Sequence, residues 1–284
     1  MIDIVLLTYN SLSTLGNTFK CCLQQALRNA SVNRIIVVDG GSKDSTIEYV
    51  RKVTEKNDIK LILIEDIGGT RASSRQKGIE HVETDWFLFL DSDCVLCDNW
   101  LNKVQKDMLN PSIGAIQGTT IKMLNNFSRS YICVREAIKT KFKGKLIFGP
   151  IEHIVAPAEE RGFMGNTLIR TETIRDIKIP FHLHIFEDYY IKNHITRKGY
   201  QYVITKEAYC QHHVKMHRLR DAYYVGYLYT KTKKLTVFRA VLNLLTVIPK
   251  TLLVTTKVEI ILYQIRYYVN RLSGSIAGLI GRVR

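Results

Sequence analysis

Several things are missing from this sequence, and each absence closes a possibility. Cys94-Val95-Leu96-Cys97 is a lone C-x-x-C; a zinc knuckle needs a second such pair, and there is none. The six cysteines are scattered through predicted helices and strands instead of forming a small disulfide framework, so buried thiols are expected. The glycines at Gly40-Gly41 carry neither a G-x-G-x-x-G spacing nor a following G-K-[ST], which excludes a dinucleotide fingerprint and a P-loop there. No apolar run reaches the ~18 residues of a clean membrane span. Acidic residues are short: 26 Asp and Glu face 41 Lys and Arg, a formal charge of +15. That excess suits a partner rich in phosphate, whether nucleotide, nucleic acid or anionic membrane, without choosing between them. The first strand begins at Ile2, which leaves no room for a charged segment, apolar core and cleavage site. No signal peptide and a cytosolic start are therefore expected.

What is present begins with an apolar fraction of 46%, ample for a packed core. Over the first ninety residues short apolar runs alternate with helical spacing. Ile2–Thr8, Arg34–Val38, Ile59–Ile64 and Trp86–Leu90 read as strands; Ser11–Asn29, the stretch restarting at Ile47, and Thr70–His81 read as helices. Alternation at this spacing predicts an α/β fold: right-handed βαβ units and a mostly parallel sheet flanked by helices. Ligands of such sheets bind outside the carboxyl ends of the strands. Thr8, Asp39 and Asp91 all stand at strand ends, so they are expected along one rim.

The central stretch is Trp86-Phe87-Leu88-Phe89-Leu90-Asp91-Ser92-Asp93. Five bulky apolar residues predict a strand buried on both faces, running straight into two carboxylates. In an extended chain residues i and i+2 leave the same face, so Asp91 and Asp93 are expected to converge. A hard divalent cation carrying a polyphosphate is one counter-charge for such a pair; an Asp-rich turn that merely ends a strand has the same sequence. Asp39 precedes two glycines that let the backbone approach a ligand, and its carboxylate can accept from a base or ribose. A tight turn capping the next helix reads identically. Arg71, Arg75 and Lys77 open the third helix on the same rim, as diphosphate ligands or as solvated helix charge.

Taken together, these stretches resemble the inverting nucleotide-sugar glycosyltransferases of family 2, which have the GT-A fold. The matching segments are Thr8-Tyr9-Asn10, Asp39 to Thr46, Arg75 to Ile79, Asp91-Ser92-Asp93 as the family's D-x-D, Gly162 to Arg170, and Glu187-Asp188. They appear in order over roughly residues 1–215. The resemblance implies that Asp39 contacts the base, Asp91 lies near the ribose, and Asp93 binds a divalent cation (Mg²⁺ or Mn²⁺) on the diphosphate. Thr8, Tyr9, Asn10, Gly41, Arg71, Arg75 and Ser92 complete the side that holds a UDP- or GDP-sugar. Gly165, Asn166 and Glu187 fall on the acceptor side. Asp188 is the implied general base, and a histidine near His212 or His213 completes the metal site with Asp93 and Asp91. The Q-x-x-R-W motif of processive synthases is lacking, which favours adding one sugar at a time.

The expected layout is a catalytic domain over 1–215, with a nucleotide-sugar half over about 1–120 and an acceptor half over about 121–215. A basic, apolar helical region follows over 216–284. There, from about Leu235, two apolar stretches are interrupted by Arg239, Pro249, Lys250 and Lys257 and followed by Arg271, Arg282 and Arg284. That pattern suits helices lying in a membrane interface; a soluble helical subdomain or an oligomer surface fits as well. Attachment to the cytoplasmic face of the cell membrane, with a lipid-linked sugar or glycan as acceptor, is the expectation. Two rivals stay open. A nucleotidyltransferase usually carries a glycine-rich, basic loop after strand one, where this chain has Tyr9-Asn10-Ser11. A basic nucleic-acid or membrane-binding module would use the charge but leave Asp91, Asp93 and Asp188 without purpose, so no nucleic-acid partner is expected.

Overall fold

The computed structural model describes residues 1–28, 32–143, 162–214, 219–231 and 236–281. The chain forms two compact units, Met1–Met123 with Val155–His213 and Leu124–Ile154 with Val214–Arg284.

In the first unit β1 (Ile2–Thr8), β2 (Val32–Asp39), β3 (Leu61–Glu65) and β4 (Trp86–Asp91) are joined by α1 (Leu12–Arg28), α2 (Thr46–Lys56) and α3 (Arg71–Glu80). The four strands pair in parallel in the order β3-β2-β1-β4. Then come β5 (Cys94–Leu96), α4 (Trp100–Met108), β6 (Ile113–Leu124), β7 (Asn166–Arg170), α6 (Glu187–Arg197) and β8 (Gln201–Val214). They extend the sheet to eight strands, ordered β3-β2-β1-β4-β7-β6-β8-β5, with β7 antiparallel to both β4 and β6. The α/β reading holds, and β8 runs as one continuous strand of 14 residues.

The pleat divides the core in two. Ile4, Leu6, Ile35, Val37, Leu88 and Leu90 point to one face, with Leu15 and Phe19 of α1 and Trp100 of α4. Val5, Ile36, Val38, Phe87 and Phe89 point to the other, against Ala72 and Ile79 of α3 and Ile191 and Ile195 of α6. A period of two residues is what allows both faces of one strand to be apolar.

The second unit holds α5 (Asn126–Lys143), α7 (Leu219–Lys231), α8 (Val237–Leu252) and α9 (Val258–Ile280). α7 and α9 approach backbone to backbone: a Cβ on Gly226 would lie 2.0 Å from the Arg271 carbonyl oxygen, and one on Gly274 1.9 Å from that of Tyr223. Glycine is the residue that permits this separation. Tyr131 and Tyr263 pack edge to face at 4.9 Å between α5 and α9. Tyr223, Tyr224 and Tyr227 are buried along α7. Leu235, Arg282 and Arg284 of the expected tail lie outside the described residues. Among the described residues no helix is long and apolar enough to cross a membrane.

Candidate active site

The site is built on the carboxyl end of β4. Asp91 is the last residue of that strand and shares the face of Phe87 and Phe89, the face covered by α3 and α6. Ser92 and Asp93 form a turn before β5. The chain is not extended between Asp91 and Asp93 but turns there, and Asp91 pairs with Arg75 while Asp93 lies against His212.

Asp91 meets Arg75. The guanidinium Nη2 donates to Asp91 Oδ1 at 3.1 Å, and Nε reaches Glu187 Oε1 at 3.5 Å. Arg75 is almost fully buried and lies 5.0 Å over the Phe89 ring. Burial by itself would weaken its hold on the proton, but the charges of Asp91, Glu187 and Asp188 outweigh that and raise its pKa. On the other side of the pair, burial and the neighbouring Asp188 push the Glu187 carboxyl above the usual range, against the pull of Arg75 and Arg71. Segments far apart in sequence thus meet around one cationic side chain. Arg75 Nη1 and Glu187 Oε2 are shielded from solvent and have no hydrogen-bond partner. Orphaned polar atoms in a desolvated place are costly, and two at one point suit a polar ligand.

Glu187 and Asp188 open α6, where acidic groups face the positive end of the helix dipole. The residue before them, Phe186, has φ 68°, a left-handed conformation that costs a bulky residue roughly 1–3 kcal/mol. Strain of this kind persists where it aims the following side chains. Asp188 is buried and accepts from the Tyr189 backbone N–H at 2.8 Å. Asn166 opens β7 and Gly165 stands just before it: the Asp91 N–H donates to the Gly165 carbonyl at 3.2 Å, and a Cβ on Gly165 would stand 2.9 Å from Asp91 Oδ2. Asn166 is fully buried, with its Oδ1 unpartnered.

Asp93 meets His212 instead. β5 pairs antiparallel with β8, placing Cys94 opposite His212, and His212 Nε2 lies 3.3 Å from Asp93 Oδ1. Asp93, Cys94 and His212 form a group whose ligand atoms lie within 4.8 Å of one another. Asp91 and His213 are not part of it; the His213 backbone N–H donates to the Asp93 carbonyl at 2.8 Å. Phe163 packs at 5.1 Å on the His212 ring. Burial pushes the Cys94 thiol well up, and its hydrogen bond with Cys210 adds to this. The three groups offer one carboxylate oxygen, one imidazole nitrogen and one thiol sulfur, and the oxygen and nitrogen donors of Asp93 and His212 fit a divalent cation.

The loops after β1 and β2 form the adjoining rim. Asp39 accepts from Thr8 Oγ1 (2.7 Å), Ser42 Oγ (2.6 Å), the Ser42 N–H (2.7 Å) and the Gly41 N–H (3.0 Å). About four lone-pair positions are available to a carboxylate, and the loop occupies all of them. The Asn10 N–H donates to Ser42 Oγ and Asn10 Oδ1 accepts from the Lys43 N–H, both at 2.8 Å. Ser92 Oγ and Ser11 Oγ share a 2.8 Å hydrogen bond. Tyr9 is left 55% exposed beside Gly40. Lys77 is turned away, paired with Asp66 at 2.9 Å. Residues with no obvious sequence signal complete the wall: Gln117 Oε1 accepts from the Phe163 N–H (2.9 Å) and the Tyr202 hydroxyl (2.8 Å). Gln117 lies in the buried first half of β6.

The sequence model described as glycosyl transferase family 2 matches residues 3–159, more than half of the chain. The chain belongs to glycosyl transferase family 2. Relatives within reach of this family member include an uncharacterised glycosyltransferase of Haemophilus influenzae, 28% identical over 109 residues (38% of this chain, 42% of that one). The poly-β-1,6-N-acetyl-D-glucosamine synthase of Staphylococcus aureus is 28% identical over 118 residues, 41% of this chain and 28% of the synthase. These matches thus span less than half the length of either relative. Among solved structures, the mannosyltransferase PcManGT of Pyrobaculum calidifontis, in complex with GDP-Man and Mn²⁺, has a TM-score of 0.63 at 15% identity, covering 99% of this chain and 88% of its own. S. aureus TarS 1–349 in complex with UDP-GlcNAc has a TM-score of 0.55 at 16% identity, over 99% and 92%. At these identities the likeness is one of fold, and it is the GT-A fold of the family.

Proposed function

We propose that this family 2 protein transfers one sugar at a time from a UDP- or GDP-sugar to an acceptor hydroxyl on a lipid-linked sugar or glycan, with inversion at the anomeric carbon. The observation that carries the reading is the meeting of Asp91, Glu187 and Arg75, with Asp188 beside them, at the carboxyl end of β4. Residues from about 1–120 bind the donor, and Gly165, Asn166 and Glu187 face the acceptor. Asp91, with Ser92, lies toward the ribose. Asp39 holds the loop that receives the base, and Tyr9, Asn10 and Gly41 border it. Asp93 and His212 hold a divalent cation, and the imidazole beside the carboxylate favours Mn²⁺ over Mg²⁺, which prefers oxygen alone. When bound, that cation supplies Lewis-acid stabilisation of the charge on the departing diphosphate.

Asp188 accepts the proton of the acceptor hydroxyl while that oxygen attacks the anomeric carbon. The bond between that carbon and the diphosphate oxygen breaks with its electron pair, and the nucleoside diphosphate leaves from the opposite face. Arg75 and Glu187 act together: the guanidinium keeps Glu187 and Asp91 in place, and Glu187 Oε2 and Arg75 Nη1 stay available to sugar hydroxyls.

The test is release of nucleoside diphosphate across a panel of nucleotide sugars, with and without Mn²⁺. One donor should be turned over, with turnover lost on chelation. Asp188→Asn should bind that donor unchanged yet lose transfer by roughly 10²–10⁴-fold. Full activity in that variant removes the assigned base, and no turnover of any donor removes the reading.

A further inference from the structure

The second unit carries an exposed apolar face on each of two neighbouring helices. On α8, Phe238, Leu242, Leu245 and Leu252 are exposed, at separations of 4, 3 and 7 residues. On α9, Val258, Leu262, Val269, Ile276 and Ile280 are exposed, at separations of 4, 7, 7 and 4. Both patterns place their residues in one stripe along the helix. Phe238 is 72% exposed and Leu245 63%, large apolar side chains that a soluble surface seldom presents in rows.

Charge selects what covers these stripes. Residues 214–284 hold 13 of the 41 Lys and Arg but only 2 of the 26 Asp and Glu, leaving 28 against 24 in the rest of the chain. Most of the basic excess therefore lies in this one region. On α8 and α9 the basic residues are Arg239, Lys250, Arg266 and Arg271, against Glu259 alone. Arg239 and Arg266 are exposed, the first next to Phe238 and the second one turn beyond Leu262, where a long side chain can lay its stem on an apolar surface and hold its head in water. A second copy seated face to face on these stripes would bring like charges together. A bilayer with acidic headgroups offers the complement. At 1.5 Å per residue α9 is about 35 Å long, enough to cross a bilayer. Yet Glu259, Arg266 and Arg271 break its apolar run, and Gln264 and Ser275 are already buried within the unit. It has the composition of a helix that lies along an interface.

We propose that α8 and α9 seat this chain on an anionic phospholipid surface, apolar stripes at the acyl boundary and the flanking arginines among the phosphates. The inference is independent of the transfer reaction and survives if that reading fails.

Flotation of the full chain with vesicles tests it. Vesicles of phosphatidylcholine with about 30% phosphatidylglycerol should carry the protein up, and pure phosphatidylcholine should bind at least about tenfold less. Replacing Leu245, Leu252, Leu262 and Ile276 by Gln together, all exposed positions, should lower binding to the anionic vesicles about tenfold or more at an unchanged circular dichroism spectrum. Arg239→Glu with Arg266→Glu should weaken it separately and remove most of its salt dependence. Wild-type protein that stays at the bottom with both vesicle types overturns the proposal. So does undiminished binding by the fourfold variant. A wild-type dimer that the fourfold variant converts to monomer, without vesicle binding, assigns the face to a second copy instead.

Discussion

Arg75 is the side chain whose removal should be felt most widely. Its guanidinium is the counter-charge for Glu187, buried to 3% exposure, and for Asp91. Arg75→Met leaves those acids without it, and an uncompensated buried charge typically costs about 3–5 kcal/mol. Because Asp91 is partly exposed and Glu187 can take up a proton, the lower end of that range is expected, read as a shift of the chemical denaturation midpoint. Arg75→Lys should not restore it, since one ammonium cannot span two acids as the planar fork does. The double variant Arg75→Met, Glu187→Gln should recover part of the stability while remaining inactive, a non-additivity that a double-mutant cycle measures. Full additivity would show that the pair does not interact as described.

At the scale of the element, α3 shows how a helix end is tied to the rim. Thr70 caps it, accepting from the Ser73 N–H, while Ser73 Oγ accepts from the Thr70 N–H, a capping box built with serine. Below it, Asp66 receives the hydroxyls of Ser73 and Ser74 at 2.7 Å each and the Lys77 ammonium at 2.9 Å. Burial raises the Asp66 pKa, but these three partners outweigh it and hold the carboxyl below its ordinary 3.8. A depressed carboxyl contributes stability that is complete above the unfolded value and disappears as pH falls through the folded one. Asp66→Asn should therefore melt lower than wild type at pH 7, by an amount worth about 1 kcal/mol. The gap should close as the pH is taken below 3.8. A gap that stays constant with pH would mean the loss is one of packing, not charge.

At the scale of the whole molecule, all six cysteines are free, and five of them are buried. Cohesion comes from the two apolar faces of the sheet and, separately, from the close helix packing of the second unit. Adding a reductant should leave the melting temperature unchanged, and a reductant-dependent shift would reveal a bridge that this arrangement lacks. The charge is uneven in the same way as the chemistry: carboxylates gather where the sheet strands end, and bases gather in residues 214–284. Such a division lets one region attract a cation while another attracts an anionic surface.

What the sequence determined by itself was local. Periods of two and of about 3.6 residues placed the starts of β1 to β4 and α1 to α3 to within two residues, and the ends of those strands put Thr8, Asp39 and Asp91 on one rim. What only the tertiary structure decided was which acid meets which partner. A turn at Ser92 sends Asp91 to Arg75 and Asp93 to His212, although spacing alone makes the two look equivalent. Arg75 could be read as a solvated helix charge, Asp39 as open to a ligand, and a tyrosine such as Tyr223 on the last helices as exposed or buried alike. Arg75 was settled by acids brought in from other segments and Tyr223 by packing against α9, while Asp39 is closed by its own loop at Gly41 and Ser42 together with Thr8. Local periodicity reports only which face of an element a residue occupies; the identity of the opposing face depends on the order of strands in the sheet and on which helices cover them.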